Sequence, residues 1–401
     1  MNRLKFTGAL CILLVLILQA GLSNCYSQTA DVINYKLISR GISYKEVIDS
    51  QDTLLLHTLR IELNDCDCYV RAEKAQGQLS GLSTVSNMAE DIRDSRYKVI
   101  AAINGDFFEP DGEISNNMIS EGKYLKAVQH PFSRKYIFDK IHSQFALTYG
   151  NKPLIEKFRF DGRVFFKDQT TINISKINSI PDSNSVSLYN ASQGEFTNES
   201  KELEITEYEL VPLKDSLETF LFLVNSAKKK TGKNPLNGNN WILSGIGTSA
   251  RILEEKVREG DTLRIVLKLD PDFPGIRTLV GGWPRIVLDG VNISASSDSL
   301  EGVLSKLSRI RNPRTGIGFS RDSSVIYFFA VDGRRKDSRG MTLSEFADFM
   351  IREGAFQGLN LDGGGSTTMY VGDDVVNNPS DTFGERKVGN CLLLMRKETQ
   401  Q

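Results

Sequence analysis

Histidine is scarce in this chain: of 401 residues only His57, His130 and His142 are histidine. Five cysteines are present and no two stand in a C-x-x-C pair. Zinc centres draw most of their ligands from these two residue types, so a zinc site is not expected. The same scarcity weighs against a two-metal phosphodiesterase, whose ligands are commonly His and Asp. There is no G-x-S-x-G elbow, which with so little histidine disfavours a serine hydrolase. Charge of one sign is missing as well. The net charge is −1, so no basic field points to nucleic acid. Disulfide-framework chemistry is also absent: beyond Cys11 and Cys25 only Cys66, Cys68 and Cys391 remain. A bridge between Cys66 and Cys68 would close a tight ring, and buried or weakly paired thiols are expected.

What is present is an ordinary globular composition, 40% hydrophobic and 25% charged, long enough for one large domain or two smaller ones. Asn2, Arg3 and Lys5 precede an apolar run from Ala9 to Ala20, the layout of a secretory signal and too short for a confident membrane span. Two endings compete. Leu22-Ser23-Asn24-Cys25 has the form of a lipobox that would anchor the chain to a membrane through Cys25, and Cys25-Tyr26-Ser27 is a small-x-small cleavage site. Either way residues 1–27 are expected to be a signal. The protein is then expected to be exported, to a periplasm or cell envelope.

Along the rest of the chain, "TLLLHTLRIEL" and "CDCYVRAEKA" read as an antiparallel pair of strands. Val85, Met88, Ala89 and Ile92 fall at helical spacing, and Val99 to Ile103 form a buried strand that ends in Asn104-Gly105-Asp106-Phe107-Phe108. Residues 140–235 are β-rich with polar loops. Thr315 to Phe319 and Val325 to Val331 read as a hairpin. "TLSEFADFMIREGA" is the clearest helix, with Thr342 as N-cap, Glu345 at the capping-box position and Gly354 at its end. No internal repeat is visible. The expected fold is α+β or mixed α/β: a strand-rich single catalytic domain with a mixed sheet and a few packed helices.

The segment "GLNLDGGGSTTMYV", residues 358–371, raises the functional question. Three glycines separate Asp362 from the next strand and strip the backbone bare between an acid and a run of hydroxyls. A turn between two strands rarely needs three glycines, so an anion-approach loop with a positioned carboxylate competes with a plain Asx-type turn. Three more clusters join small residues to polar ones at strand ends: Asn104 to Phe108, Arg314-Thr315 and Asp332-Gly333-Arg334. A polar ligand approaching a rigid sheet needs such places. Each has a plain alternative. Asp332-Gly333 is a common turn, Arg314 an ordinary ion-pair residue, and the Thr315 hydroxyl a bond to backbone. Phe107 and Phe108 are core or pocket wall, and Trp283 is either core or a platform for sugar.

The order of "AAINGDFF", "VGGWPRIVLDG", "NPRTGIGFS", "AVDGRRKDSRGMTLSEFADFM", "LNLDGGGSTTMYV" and "GERKVGNCLLL" resembles the phosphodiester glycosidase family from about Val99 to Leu394. The departure is Asp106, where the family commonly has glycine, and it puts the substrate in question. The resemblance implies residues 96–397 as the glycosidase domain, with residues 28–95 packed on it. It also implies hydrolysis of an N-acetylglucosamine-1-phosphodiester-like compound or a phosphate-linked glycan. Expulsion of a phosphate monoester needs little acid catalysis, so charge stabilisation is the main task. Asp332, Asp362, Arg314 and Thr315 are the expected catalytic residues, the aspartates matching the carboxylate pair of a glycosidase. Asn104, Gly105, Arg334, Gly363, Gly364, Gly365, Ser366 and Thr367 are expected to bind substrate, arginine and backbone N–H holding the phosphate. No cofactor is required, and Ca²⁺ or Mg²⁺ held by aspartates stays open. The rival functions are a metal-assisted phosphodiesterase and a non-catalytic glycan-binding lipoprotein.

Overall fold

The run Val325–Val331, Val-Ile-Tyr-Phe-Phe-Ala-Val, shows why the protein is built in layers. Side chains alternate across a strand, and here Ile326, Phe328 and Ala330 enter one apolar cluster while Val325, Tyr327, Phe329 and Val331 enter another. A strand with no polar face must be covered on both sides. In the computed structural model, which describes residues 35–92, 96–135, 140–199, 205–216, 218–229, 232–303 and 305–397, the two covers are a second sheet and a helix. The expected signal and the expected anchor at Cys25 fall outside these residues.

The strand belongs to an eight-stranded antiparallel sheet in which Leu54–Glu62, Val325–Val331, Arg314–Phe319 and Gln357–Asn360 lie side by side in that order. Facing it is a five-stranded sheet whose centre is Met369–Val371, Tyr97–Asn104 and Asn390–Lys397, with Cys68–Lys74 at one edge. Leu59, Ile61, Ile317 and Leu359 from the first meet Val70, Ala101, Ile103 and Leu392 from the second in one buried cluster. On the outer face of the larger sheet lies the helix Leu343–Arg352. Its capping box forms: Glu345 N–H donates to Thr342 Oγ1 at 3.2 Å and Thr342 N–H to Glu345 Oε2 at 2.9 Å. Phe346, Phe349 and Met350 pack it down against Val287 and Phe329. A third, thirteen-stranded sheet takes up most of residues 118–281 and has its own core.

The fold is strand-rich with few helices and is mostly β. Hairpin and capped helix stand where the sequence puts them, and Arg314 pairs with Val331 at the end of the hairpin. Other expectations need correction. "TLLLHTLRIEL" and "CDCYVRAEKA" do not pair, because Leu54–Glu62 and Cys68–Lys74 lie in different sheets. The bend between them is closed by a Cys66–Cys68 disulfide, with the two Cα atoms 5.2 Å apart, so these are not free thiols. Cys391 is free and buried. Residues 35–92 also do not merely pack on a domain that begins at 96, since Leu54–Glu62 is an inner strand of the eight-stranded sheet.

Candidate active site

Antiparallel registry gathers the polar clusters at one end of the two facing sheets. Leu361 N–H donates to Thr315 O at 2.9 Å, Gly364 N–H to Pro313 O at 2.9 Å, and Asp362 N–H to Gly105 O at 3.0 Å. The glycine segment is therefore no hairpin turn. It carries the chain from Gln357–Asn360 in one sheet to Met369–Val371 in the other.

Each of the three glycines lies against a different group. A Cβ on Gly363 would come within 2.8 Å of Pro313 O, and one on Gly364, which has φ +64°, within 2.9 Å of Arg334 Nη2. At Gly365 a Cβ would collide with Asp381 Oδ1 and Arg386 Nη2. The bare backbone thus lets Arg334 come close to Gly364 and Arg386 close to Gly365. Arg334 is exposed and braced by Asn312 Oδ1, which accepts from its Nη2 at 3.0 Å. Arg386 is held by Asp381 through Nε at 2.6 Å and Nη2 at 2.9 Å.

The charges of both arginines act on Asp362. Its Oδ1 accepts from Gly363 N–H at 2.9 Å, and the Ser366 hydroxyl donates to the same carboxylate. The residue is partly open to solvent, yet burial dominates the titration of its carboxyl and pushes it up to about 6, against the pull of Ser366, Gly363 N–H, Arg386 and Arg334. Asp362, Gly363, Gly364, Arg314 and Arg334 line a cavity of about 140 Å³ together with Trp283, Phe107 and Leu343. Trp283 is fixed by a bond from Nε1 to Glu301 O at 2.8 Å, by stacking on His142 and by an edge contact with Phe107. It is both core and wall.

Several expected site residues sit behind this wall instead. Asp332 is fully buried and does not line the cavity. Its carboxylate accepts from Asn378 N–H at 3.0 Å, Asn378 Nδ2 at 2.8 Å and Asn377 Nδ2 at 3.2 Å, and His57 Nε2 lies 3.8 Å away. It positions the loop that follows Met369–Val371. Asn104 is satisfied by protein: Oδ1 accepts from Thr315 Oγ1 at 2.8 Å and Thr368 N–H at 3.1 Å, and Nδ2 donates to Asp362 O at 2.6 Å. Asn104 and Thr315 are joints between the sheets, and Gly105 is small because Asn390 Oδ1 presses on it. Arg314 lines the cavity but spends Nε and Nη2 on the carbonyls of Met341, Leu307 and Ile310, and burial pushes it down to about 10. Thr367 Oγ1 is buried without a hydrogen-bond partner among the described residues.

The departure at Asp106 also turns inward. Its oxygens accept from Asn116 N–H, Asn116 Nδ2 and Phe107 N–H, each at 2.8 Å, and burial pushes it up to about 7. It shapes the 104–116 turn and adds no charge to the cavity. Arg386 and Asp381 escaped the sequence reading, although "GERKVGN" displays the arginine; nothing local says that it folds over Gly365. Asn377-Asn378 before Pro379 signals a polar turn but not its tie to Asp332. Among the described residues no group of three or more His, Cys, Asp or Glu side chains is disposed to hold a metal.

Comparison with known proteins identifies relatives of part of the chain. Residues 227–395 match the phosphodiester glycosidase family. N-acetylglucosamine-1-phosphodiester α-N-acetylglucosaminidases of Mus musculus and Homo sapiens are each 32% identical over 120 residues, a stretch that is 28% of this chain and 23% of theirs. The chain thus matches less than a quarter of the length of these curated relatives. Among solved structures, a hypothetical protein from Synechocystis superposes over 92% of this chain and 64% of its own with a TM-score of 0.69 at 19% identity. A structure described as a "Putative exported protein" from Burkholderia pseudomallei K96243 covers 85% of this chain and 74% of its own, with a TM-score of 0.64 at 22% identity. These two share the fold.

Proposed function

We propose, for a chain whose residues 227–395 match the phosphodiester glycosidase family, that it hydrolyses sugar-1-phosphodiesters at the anomeric C–O bond, with N-acetylglucosamine-1-phosphodiester-like compounds as the substrate class. The observation that carries the reading is Asp362, a carboxylate under the charges of Arg334 and Arg386 that lines the same cavity as Trp283.

The roles follow from charge. The sugar enters the cavity against Trp283, and the phosphate lies over the glycine loop between Arg334 and Arg386, whose planar guanidiniums suit its oxygens. Water attacks the anomeric carbon as the C–O bond breaks, and the bonding pair leaves on the phosphate oxygen. Asp362, ionised above pH of about 6, faces the cationic transition state and takes the proton of the attacking water. Asp332 supplies no second carboxylate to this cavity. A phosphate monoester is a good enough leaving group to depart with charge stabilisation from the arginines. The Cys66–Cys68 disulfide and the signal-like residues 1–27 support action outside the cytoplasm, on exported glycans and with Cys25 as the lipid anchor.

Hydrolysis of an N-acetylglucosamine-α-1-phosphodiester in ¹⁸O-labelled water tests the bond. Label in the free sugar is the expected result. Label in the phosphate means P–O cleavage, and binding without turnover means a glycan-binding protein; either overturns the reading.

A further inference from the structure

A second cavity lies at the far end of the strand that delivers Asn104 to the glycine loop. Tyr97 opens that strand and Asn104 closes it over eight residues, so at about 3.3 Å per residue the two ends stand roughly 23 Å apart. Beside Tyr97 is a cavity of about 420 Å³, within the range of about 300–1,000 Å³ usual for small-molecule sites. Tyr69, Arg71, Asp91, Arg96, Tyr97 and Glu121 give it its aromatic and charged lining. None of them lines the cavity of Asp362.

Tyr69 and Arg71 stand two apart on the edge strand Cys68–Lys74 and so share a face. The Arg277 guanidinium lies over the Tyr69 ring at 3.2 Å, and Glu121 Oε2 holds it by accepting from Nε at 3.2 Å and Nη2 at 3.0 Å. Tyr97 meets Tyr69 edge-on, with ring centres 6.2 Å apart and planes at 88°. Tyr69 is thus a fixed, buried wall, and the half-buried Tyr97 is the ring beside it that keeps open surface. Two polar atoms of the lining residues are left over. Glu121 Oε1 and Arg71 Nε are buried without a hydrogen-bond partner among the described residues, while Glu121 Oε2 and Arg71 Nη2 are spent on Arg277 and Glu73. An unpaired acceptor and an unpaired donor cost free energy until something meets them.

The lining also says what kind of ligand fits. Arg71 and Arg96 are matched by Asp91 and Glu121, so the site has no net charge with which to select phosphate or another anion. A lone acceptor and a lone donor are both answered by a hydroxyl, which donates and accepts. A tyrosine ring asks for an apolar face. A pyranose offers both, a C–H face and a rim of hydroxyls. We infer that the cavity beside Tyr97 is a second glycan-binding site, which takes a neutral oligosaccharide, stacks it on Tyr97 and has no part in bond cleavage. It goes beyond the hydrolysis proposed above and does not depend on it.

Saturation-transfer NMR on the whole protein, with cellobiose, maltose and N,N′-diacetylchitobiose as probes, tests the site without any turnover. At least one of these should bind. Its affinity, from titration, should fall about 5- to 10-fold in Tyr97→Ala, the size of one aromatic contact, and stay within about twofold in Tyr97→Phe. Asp91→Ala, at an exposed position, should weaken the same sugar about fivefold, one hydrogen bond's worth, and it carries the test if Tyr97→Ala lowers the melting temperature. Asp362→Asn should leave the binding unchanged, which keeps the result separate from the fate of the proposed hydrolysis. Binding of none of the three disaccharides overturns the site. So does binding that ignores both Tyr97→Ala and Asp91→Ala, or binding that is lost in Asp362→Asn. Displacement of the sugar by inorganic phosphate or by glycine overturns the neutral-sugar class.

Discussion

At Asp362 burial and two arginines pull the same carboxyl in opposite directions, and burial wins: the group is pushed up to about 6. An unfolded aspartate titrates near 3.9, so the native state holds this proton more tightly. Its contribution to stability is therefore fully present below pH of about 4 and is lost as pH rises through about 6. Under the proposed function activity runs the other way, because the ionised form is the one that takes the proton of the attacking water. We predict an acid limb in kcat/KM near pH 6, read from a pH–rate profile. Arg386→Gln removes one of the charges that lower this value, so the limb should move to higher pH while kcat/KM falls about 100-fold, the scale of one lost transition-state donor. An unmoved limb would separate Arg386 from Asp362. Asp362→Asn should keep thermal stability within about 1 kcal/mol, as it removes a buried charge, and lower kcat by more than about 1,000-fold.

At the scale of elements the site is two loops pressed together. Gly365→Ala drives a methyl group into the Asp381–Arg386 pair, so activity should fall at least about tenfold while the sheets melt nearly as before, as seen by comparing kcat/KM with calorimetric Tm. The 377–386 loop is held by Asp332, which predicts a coupling: Asp332→Ala and Asn378→Ala should each lower activity, and the double variant should be little worse than the poorer single one. Additive losses would mean that the Asp332 carboxylate acts on substrate directly. Asn104→Ala belongs to a different class. It breaks bonds to Thr315, Thr368 and Asp362 between the sheets, so it should cost about 2–4 kcal/mol in denaturant unfolding, a few buried hydrogen bonds' worth.

For the molecule as a whole, the strand Leu54–Glu62 lies inside the sheet that carries Asp362, paired with Ile42–Asp49 on one side and Val325–Val331 on the other. A fragment beginning at residue 96 lacks it and exposes the edge and apolar face of Val325–Val331. Such a fragment should show no cooperative unfolding transition by circular dichroism, although it contains all of residues 227–395.

The chain alone determined what depends on neighbours in sequence. Val325–Val331 reads as one strand of a hairpin from its run of apolar and aromatic residues, and Thr342 with Glu345 marks a helix start because capping acts over three residues. The four polar clusters were legible as strand ends, and Asp362 stood out against its bare glycines. Their division into cavity lining and support was not. Asp332 and Asp362 look alike along the chain, each an acid before glycine at the end of an apolar run. Only the packing of one sheet on the other, which lays Asn377 and Asn378 on Asp332 and Arg386 over Gly365, buries the first acid among amide donors and leaves the second beside the cavity. Contacts across 45 residues of chain or more, such as Asp332 to Asn377, have no local signature, because a side chain's sequence neighbours do not say which surface will close over it.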